Sequence, residues 1–390
     1  MTGIGRRELL RFGGAAVLGG PVLLTGRAAA DPGPDVPHGA PLPGENPAAD
    51  LVTKKPVADV PVNNPAADVP TKKPVADVPT VKPVPAFPAR APGDWIDLTG
   101  PAEALLVKKR LTHFSVLQSF AFDEAAGYIY ALQVIQGGVR LKGEARTYSH
   151  AQRVTRGDLC LNRLTMSGKL KDRMFLTGFG HGGSLGVQHR PGKGPLLWTE
   201  WDVNPASGYG RGIARFPYTP NRVLRAGDRA LLTYRPKPGT TKNQPAVDMT
   251  TRRLLLRYRR ASGVYRYALY DLDDFGAGTA KPLADVPQPL LRKGVFHQGL
   301  ALSGNYAYQL TGSPFGPGNP PSGPGNARLT CIDLRSGAIV QEVRTKAGLK
   351  LSPREPEGLA VLHRGGERLV AGFTSGKVNR RRFSLYAHGG

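Results

Sequence analysis

Cysteine is almost missing from this 390-residue chain: Cys160 and Cys331 are its only two. They form no C-x-x-C pair and no Cys/His cluster with zinc spacing, which excludes a zinc-stabilised domain, and no other metal motif stands out. Each lies in an apolar stretch, Leu159-Cys160-Leu161 and Thr330-Cys331-Ile332, so two separate buried thiols and one disulfide both remain open. Long apolar runs are missing too. The run from Phe12 to Leu24 is broken by Gly13, Gly14, Gly19, Gly20 and Pro21, too short and too weakly apolar for a permanent span. No later segment does better, and no Cys follows the run, so neither a transmembrane nor a lipid anchor is expected. Sustained 3.6-residue periodicity is lacking; only Ala102 to Arg110 reads as a helical turn or two. Acidic residues are the minority, 29 against 53 Lys and Arg, for a formal charge of +24.

What is present begins with Arg6-Arg7, placed just ahead of that apolar run, which closes on Ala28-Ala29-Ala30. A twin arginine, a short apolar core and an A-x-A cleavage site read as a Tat-type export signal over residues 1–30. The expectation is a protein that folds first, uses the Tat translocase once, and works outside the membrane as a secreted or wall-associated chain. Residues 31–93 read as a disordered linker. Asn46 to Asp50 returns at Asn64 to Asp68, and Lys54 to Pro61 returns at Lys72 to Pro79. Proline every few residues forbids helix and central strand, and such a chain stays extended at about 3.1 Å per residue.

The charge is unevenly apportioned. Residues 1–30 hold four Arg and one Glu, and residues 31–93 hold six basic and seven acidic residues, so +22 of the +24 lies in residues 94–390. A field of that sign attracts polyanions and is screened by salt. Arginine supplies much of it, and its planar fork suits phosphate oxygens. Outside a bacterium this points to anionic wall polymer rather than to a specific nucleic-acid target. Composition inherited from GC-rich coding sequence is the alternative source of the charge.

From Asp94 onward, short alternating or apolar runs are separated by Gly, Pro, Asn and Asp turn signals. Five of them align: Gln118 to Phe122, Gly183 to Val187, Gln244 to Asp248, Gln298 to Leu302 and Glu357 to Val361. Each is followed by a turn and a second strand, Tyr128–Leu132, Leu196–Trp201, Leu254–Tyr258, Tyr306–Leu310 and Leu369–Phe373. The first positions are 65, 61, 54 and 59 residues apart. That pattern predicts an all-β, five-bladed β-propeller over residues 94–390. The polar leaders Gln118, Gln244, Gln298 and Glu357, with His181, would then ring the channel mouth.

Gly178-Phe179-Gly180-His181-Gly182-Gly183-Ser184-Leu185-Gly186 matches both a dinucleotide fingerprint and a nucleophile elbow. Both need a helix next, and a strand end and turn follow instead, so neither is adopted and no cofactor is expected. Arg354-Glu355-Pro356-Glu357 places a guanidinium beside two carboxylates at an inner-strand start, suited either to a ligand or to an internal ion pair. Trp198 with Glu200, and the turn Ser207 to Gly212, are candidate sugar contacts or core. The Pro/Gly stretch Ser313 to Gly325 is either a rim loop or filler.

Several of these stretches together resemble the exported teichoic acid biosynthesis protein C-like proteins, which share a five-bladed propeller with phage receptor-binding proteins that attach to wall teichoic acid. The resembling residues are His113 to Phe120, Thr177 to Gly182, Leu197 to Glu200, Gln298 to Leu302, Tyr306 to Gly312, Arg354 to Ala360 and Arg382 to Tyr386. The resemblance runs from about Trp95 to the C-terminus. It implies the propeller and contact with a polyol-phosphate or glycan polymer, and it brings no catalytic residue set. The sequence-level expectation is therefore a binding module for an anionic wall glycopolymer, using a basic surface and Gln118, His181, Trp198, Glu200, Gln298, Arg354 and Glu357. The alternative is a hydrolase or lyase acting on such a polymer, with His181 and Glu357 as acid and base.

Overall fold

The structure, a computed structural model, describes residues 95–389. The expected signal and the repeated linker, residues 1–30 and 31–93, lie outside the described residues. Valine, leucine and aromatic residues alternate with smaller or polar ones along the strands, and a pleated sheet buries such a pattern on both faces when sheets stack.

Blade one is β2 (Leu117–Asp123), β3 (Tyr128–Val134), β4 (Leu159–Thr165) and β5 (Leu170–Thr177). Blade two is β6 (Gly186–Arg190), β7 (Lys193–Val203), β8 (Gly210–Pro217) and β10 (Leu232–Tyr234). Blade three is β11 (Thr241–Asp248), β12 (Arg253–Arg259), β13 (Tyr265–Asp271) and β14 (Ala284–Pro287). Blade four is β15 (Phe296–Ser303), β16 (Tyr306–Gly312), β17 (Arg328–Asp333) and β18 (Ile339–Arg344). Blade five is β19 (Glu355–Leu362), β20 (Arg368–Ser375) and β21 (Arg382–His388), completed by β1 (Glu103–Lys109) from the other end of the domain. Borrowing β1 closes the ring and removes two exposed edges at once. A short β9 (Val223–Arg225) leaves blade two and pairs in parallel with β5, stitching the first two blades together.

All five aligned repeats fall on or just before inner strands, and all five second runs fall on the strand paired to each. Between blades the faces are packed with apolar side chains. Tyr130, Leu161, Phe179, Leu197 and Phe216 meet where blades one and two touch, and Leu255, Tyr267, Leu300 and Ile332 where blades three and four do. Full burial of each large apolar side chain favours the fold by about 1.5–3 kcal/mol.

Two sequence expectations are corrected. Ala102 to Arg110, read as helical, is the ring-closing strand β1. Its ladder to β21 supplies hydrogen bonds that a single isolated helical turn lacks, and only Leu106 of its middle needs burial. Two six-residue helices stand where none was expected, α1 (His150–Thr155) and α2 (Leu272–Ala277). Ser149 and Gln152 form a reciprocal capping box on α1; Asp271 caps α2, which ends on Gly278 at φ 80°. Cys160 and Cys331 are buried free thiols on β4 and β17, in different blades. Burial pushes both up to about 12, so they behave as small apolar side chains.

Candidate functional site

Near their starts, four inner strands share one irregularity. The ladder skips Gln118 in β2, Lys242 and Asn243 in β11, and Gln298 in β15, and sets Glu357 and Gly358 of β19 against the single residue Gly372. A bulge of this kind re-aims the extra side chain and ends regular pairing. Three of the polar leaders picked out by sequence are therefore bulge residues, which explains why a polar side chain breaks an otherwise apolar run there.

At this end the blades crowd the axis. Ser119 donates to the Gly182 carbonyl at 2.6 Å, a link between blade one and the loop before blade two. A Cβ on Gly183 would stand 2.2 Å from Gln244 Nε2, and one on Gly299 would stand 2.7 Å from the Gly358 backbone. Only glycine allows these approaches, so the glycine-rich stretch 178–186 serves the hub and is followed by strand β6.

Gln118, His181, Gln298 and Glu357 all sit at this end of the ring, each at most 6% exposed. His181 lies face-tilted on Tyr209, ring centroids 4.8 Å apart. Gln298 donates to the Gly312 carbonyl at 3.4 Å. Glu200 is fully buried behind the mouth, where it accepts backbone N–H groups of Gly210 (2.8 Å), Gly183 (3.2 Å) and His181 (3.4 Å). Burial raises its pKa above the usual carboxylate range, against the pull of those donors. Its position makes it the clasp of the 180–183 loop.

Arg354 is also fully buried, with φ 51°. Its guanidinium donates to the carbonyls of Ala347 (2.9 Å) and Thr345 (3.0 Å) and has no carboxylate within 4 Å among the described residues. Burial lowers its pKa to about 10. Of the two roles open in the sequence, an ion pair made by Arg354 itself is not found among the described residues; Glu355 faces Arg381 at 4.0 Å. The stretch Ser313 to Gly325 folds over Arg354, with Phe315 5.6 Å from it, and so is a rim loop of this face. Trp198 lies elsewhere: its ring is fully buried between blades two and three, stacked on Tyr234 and edge-on to Phe275, with Nε1 donating to Gln188 at 3.2 Å. A sugar cannot reach that ring.

Sequence reasoning missed a chain of cations and rings across the mouth. The Lys242 ammonium lies 4.3 Å from the Tyr209 ring and 5.5 Å from Tyr265; the Arg257 guanidinium is 4.2 Å from Tyr265. Arg257 is buried and held by Gln288 (2.8 Å) and Gln244 (2.9 Å). Its alternation in Arg253-Leu254-Leu255-Leu256-Arg257 reads as an outward-facing charge, and only the flanking amides of the same blade, Gln244 opposite it on β11 and Gln288 just after β14, make it an inward one.

Charge separates by face. The ten connections on the mouth side are 110–116, 135–158, 178–185, 204–209, 235–240, 260–264, 288–295, 313–327, 345–354 and 376–381. Together they carry seventeen Lys and Arg and two acidic residues, Glu144 and Asp158. Both acids are consumed by the buried Arg153, which pairs with Glu144 and with Asp158 at 2.8 Å. On the opposite side the connections 124–127, 166–169, 191–192, 218–222, 249–252, 272–283, 304–305, 334–338 and 363–367 carry six basic and four acidic residues. The basic excess of the connections is thus on the mouth face.

Five antiparallel blades, an N-terminal strand closing the fifth, and one strongly basic face define a five-bladed β-propeller with its polar hub on the charged side. The chain belongs to the family described as "Phage 5-bladed beta propeller receptor binding platform domain", which matches residues 116–387. It is similar to "Putative major teichoic acid biosynthesis protein C" of Bacillus subtilis (strain 168), 29% identical over 306 residues, covering 75% of this chain and 63% of that protein. Among solved structures it shares its fold with the tail fiber of Staphylococcus aureus phage P68, at TM-score 0.54 and 17% identity, covering 74% of this chain and 52% of that one. The chain therefore spans less than two thirds of either relative.

Proposed function

We propose that this protein is a cell-envelope binding module whose mouth face holds an anionic wall glycopolymer of the teichoic-acid type. The observation that carries the reading is the separation of charge between connections: seventeen basic against two acidic residues in those of one face, both acids bonded to Arg153, against six and four in those of the other. A polymer bearing a phosphate on every repeat meets such a face through many weak contacts, and arginine forks match phosphate oxygens in pairs. Tyr209 and Tyr265, interleaved with Lys242 and Arg257, give sugar or polyol units a ring to lie on beside a cation. Family membership and the printed name of the Bacillus relative point the same way. Export through the Tat pathway and a linker reaching through the wall belong to this reading. Within it Gln118, His181, Gln298, Arg354 and Glu357 shape the mouth, and Glu200 holds its loop.

The test is co-sedimentation with purified bacterial walls, intact or stripped of their phosphate polymer. The reading expects retention on intact walls at low salt, steep loss as salt rises, and little retention on stripped walls. Equal retention on both preparations overturns it.

A further inference from the structure

A second groove opens on the mouth face, away from the hub. It measures about 580 Å³ and lies between the connection 135–158 of blade one and the parts of blade two that cross back to it. Tyr148, Thr155, Arg156, Gly178, Pro205 and Arg225 line it.

Its construction is rigid. Arg153, wholly buried, is bonded to Glu144, to Asp158 and to the Val139 carbonyl (2.7 Å), pinning the connection to α1. The Arg156 guanidinium lies 4.1 Å from the Tyr148 ring, with Arg146 5.1 Å and Arg153 4.8 Å from the same ring. Arg156 spends only Nε on Asp158, at 3.0 Å, and its two terminal nitrogens make no protein hydrogen bond among the described residues. Arg225 arrives from β9 and donates Nη2 to the Lys142 carbonyl at 3.2 Å, with no carboxylate within 4 Å among the described residues. Gly143, at φ 83°, lies under this side chain, where a Cβ would stand 2.7 Å from Arg225 Nη2. Two guanidiniums from different blades thus face one groove with donors to spare; of the acids beside them, Glu144 and Asp158 are bonded to Arg153 and Asp228 to Arg222.

We infer that this groove is a phosphate subsite for a polyol-phosphate chain, separate from the hub mouth, so that a long chain engages both and a single unit engages one. Arg156 and Arg225 grip the phosphate oxygens of one diester, and Tyr148 backs the adjoining polyol. A planar fork prefers the paired oxygens of phosphate to scattered carboxylates. Occupying two subsites with one chain multiplies affinity through effective concentration. The inference rests on the reading that the mouth face takes an anionic polymer, and its test separates the two.

The full chain is titrated with inorganic polyphosphate, with glycerol 3-phosphate and with poly-glutamate, as parent, as the double variant Arg156→Gln/Arg225→Gln, and as Lys242→Gln. The inference expects the double variant to bind polyphosphate about tenfold more weakly, with a log–log salt dependence shallower by about two. It expects glycerol 3-phosphate to bind far more weakly than the polymer, and poly-glutamate affinity to change less than twofold in the double variant. Polyphosphate affinity within twofold of the parent overturns it, as does an equal loss for poly-glutamate. If only Lys242→Gln loses affinity, the groove is refuted and the mouth reading stands; if only the double variant does, the groove stands and the hub takes no part in holding the polymer; if neither does, both fail. Arg225→Gln alone, which breaks a single exposed hydrogen bond, gives the same test if the double variant folds poorly; it then expects a loss of about threefold.

Discussion

The ammonium of Lys242 rests 4.3 Å from the centre of the Tyr209 ring, joining the bulge of blade three to the β7–β8 turn of blade two. Lys242 holds φ 54°, and its side chain is only partly buried. Lys242→Gln removes the charge and keeps the length. Wall affinity at low salt is expected to fall about three- to tenfold while the melting temperature stays within about 3 °C, since a partly exposed cation–π contact contributes on the order of 1 kcal/mol. Paired binding and thermal-melt measurements check both halves.

Glu200 gathers three backbone N–H groups behind the mouth. Replacing it by Ala leaves all three buried donors without their acceptor, at a cost of about 3–5 kcal/mol. Urea unfolding should show this as a lower midpoint. The 180–183 amides should also exchange faster in Glu200→Ala, because the carboxylate is the clasp of that loop.

Acid should destabilise the propeller before its carboxylates titrate. Burial lowers His113 and His388 to about 4 from an ordinary value of 6.5. Their folded-state pKa is depressed, so the unfolded chain binds more protons between 6.5 and 4 and stability falls as pH drops through that window. The two together contribute on the order of 6 kcal/mol. Glu200 acts in the opposite sense, its raised pKa making stability fall as pH rises above 4.5. Unfolding free energies measured from pH 7 to pH 4 should decline, and the decline should be shallower in His388→Gln.

Trp198 separates stability from recognition. Trp198→Leu opens space against Tyr234 and Phe275 and orphans Gln188, so a loss of about 2–4 kcal/mol is expected. Wall affinity of the folded fraction should stay within twofold of the parent. A selective loss of affinity would mean that ligand does reach this ring.

The blades were legible because a strand hairpin buried on both faces writes its period into the chain. Gln118, Gln298 and Glu357 stood out as polar breaks, which is how a bulge looks in one dimension. Three things were hidden. β1 pairs with β21 across more than 270 residues, and no local signal marks a strand whose partner is that distant. Trp198 and Trp201 look alike in sequence, yet the pleat sends Trp198 into the interblade core while Trp201 is only partly buried, donating to the Ala226 carbonyl. Arg257, Lys242 and Tyr265 become neighbours only when β11, β12 and β13 pair within blade three, and Tyr209 joins them from blade two. The separation of charge by face was also invisible, because it follows from which turns lie on which side of the ring.

Hydrogen exchange of the whole protein, with and without purified anionic wall polymer, tests the central claim most directly. New protection is predicted in the mouth connections 178–185, 204–209 and 235–240 and at the start of β11, with none in the far turns 124–127, 249–252 and 363–367. Protection confined to those far turns, or none on either side at saturating polymer, would contradict the claim.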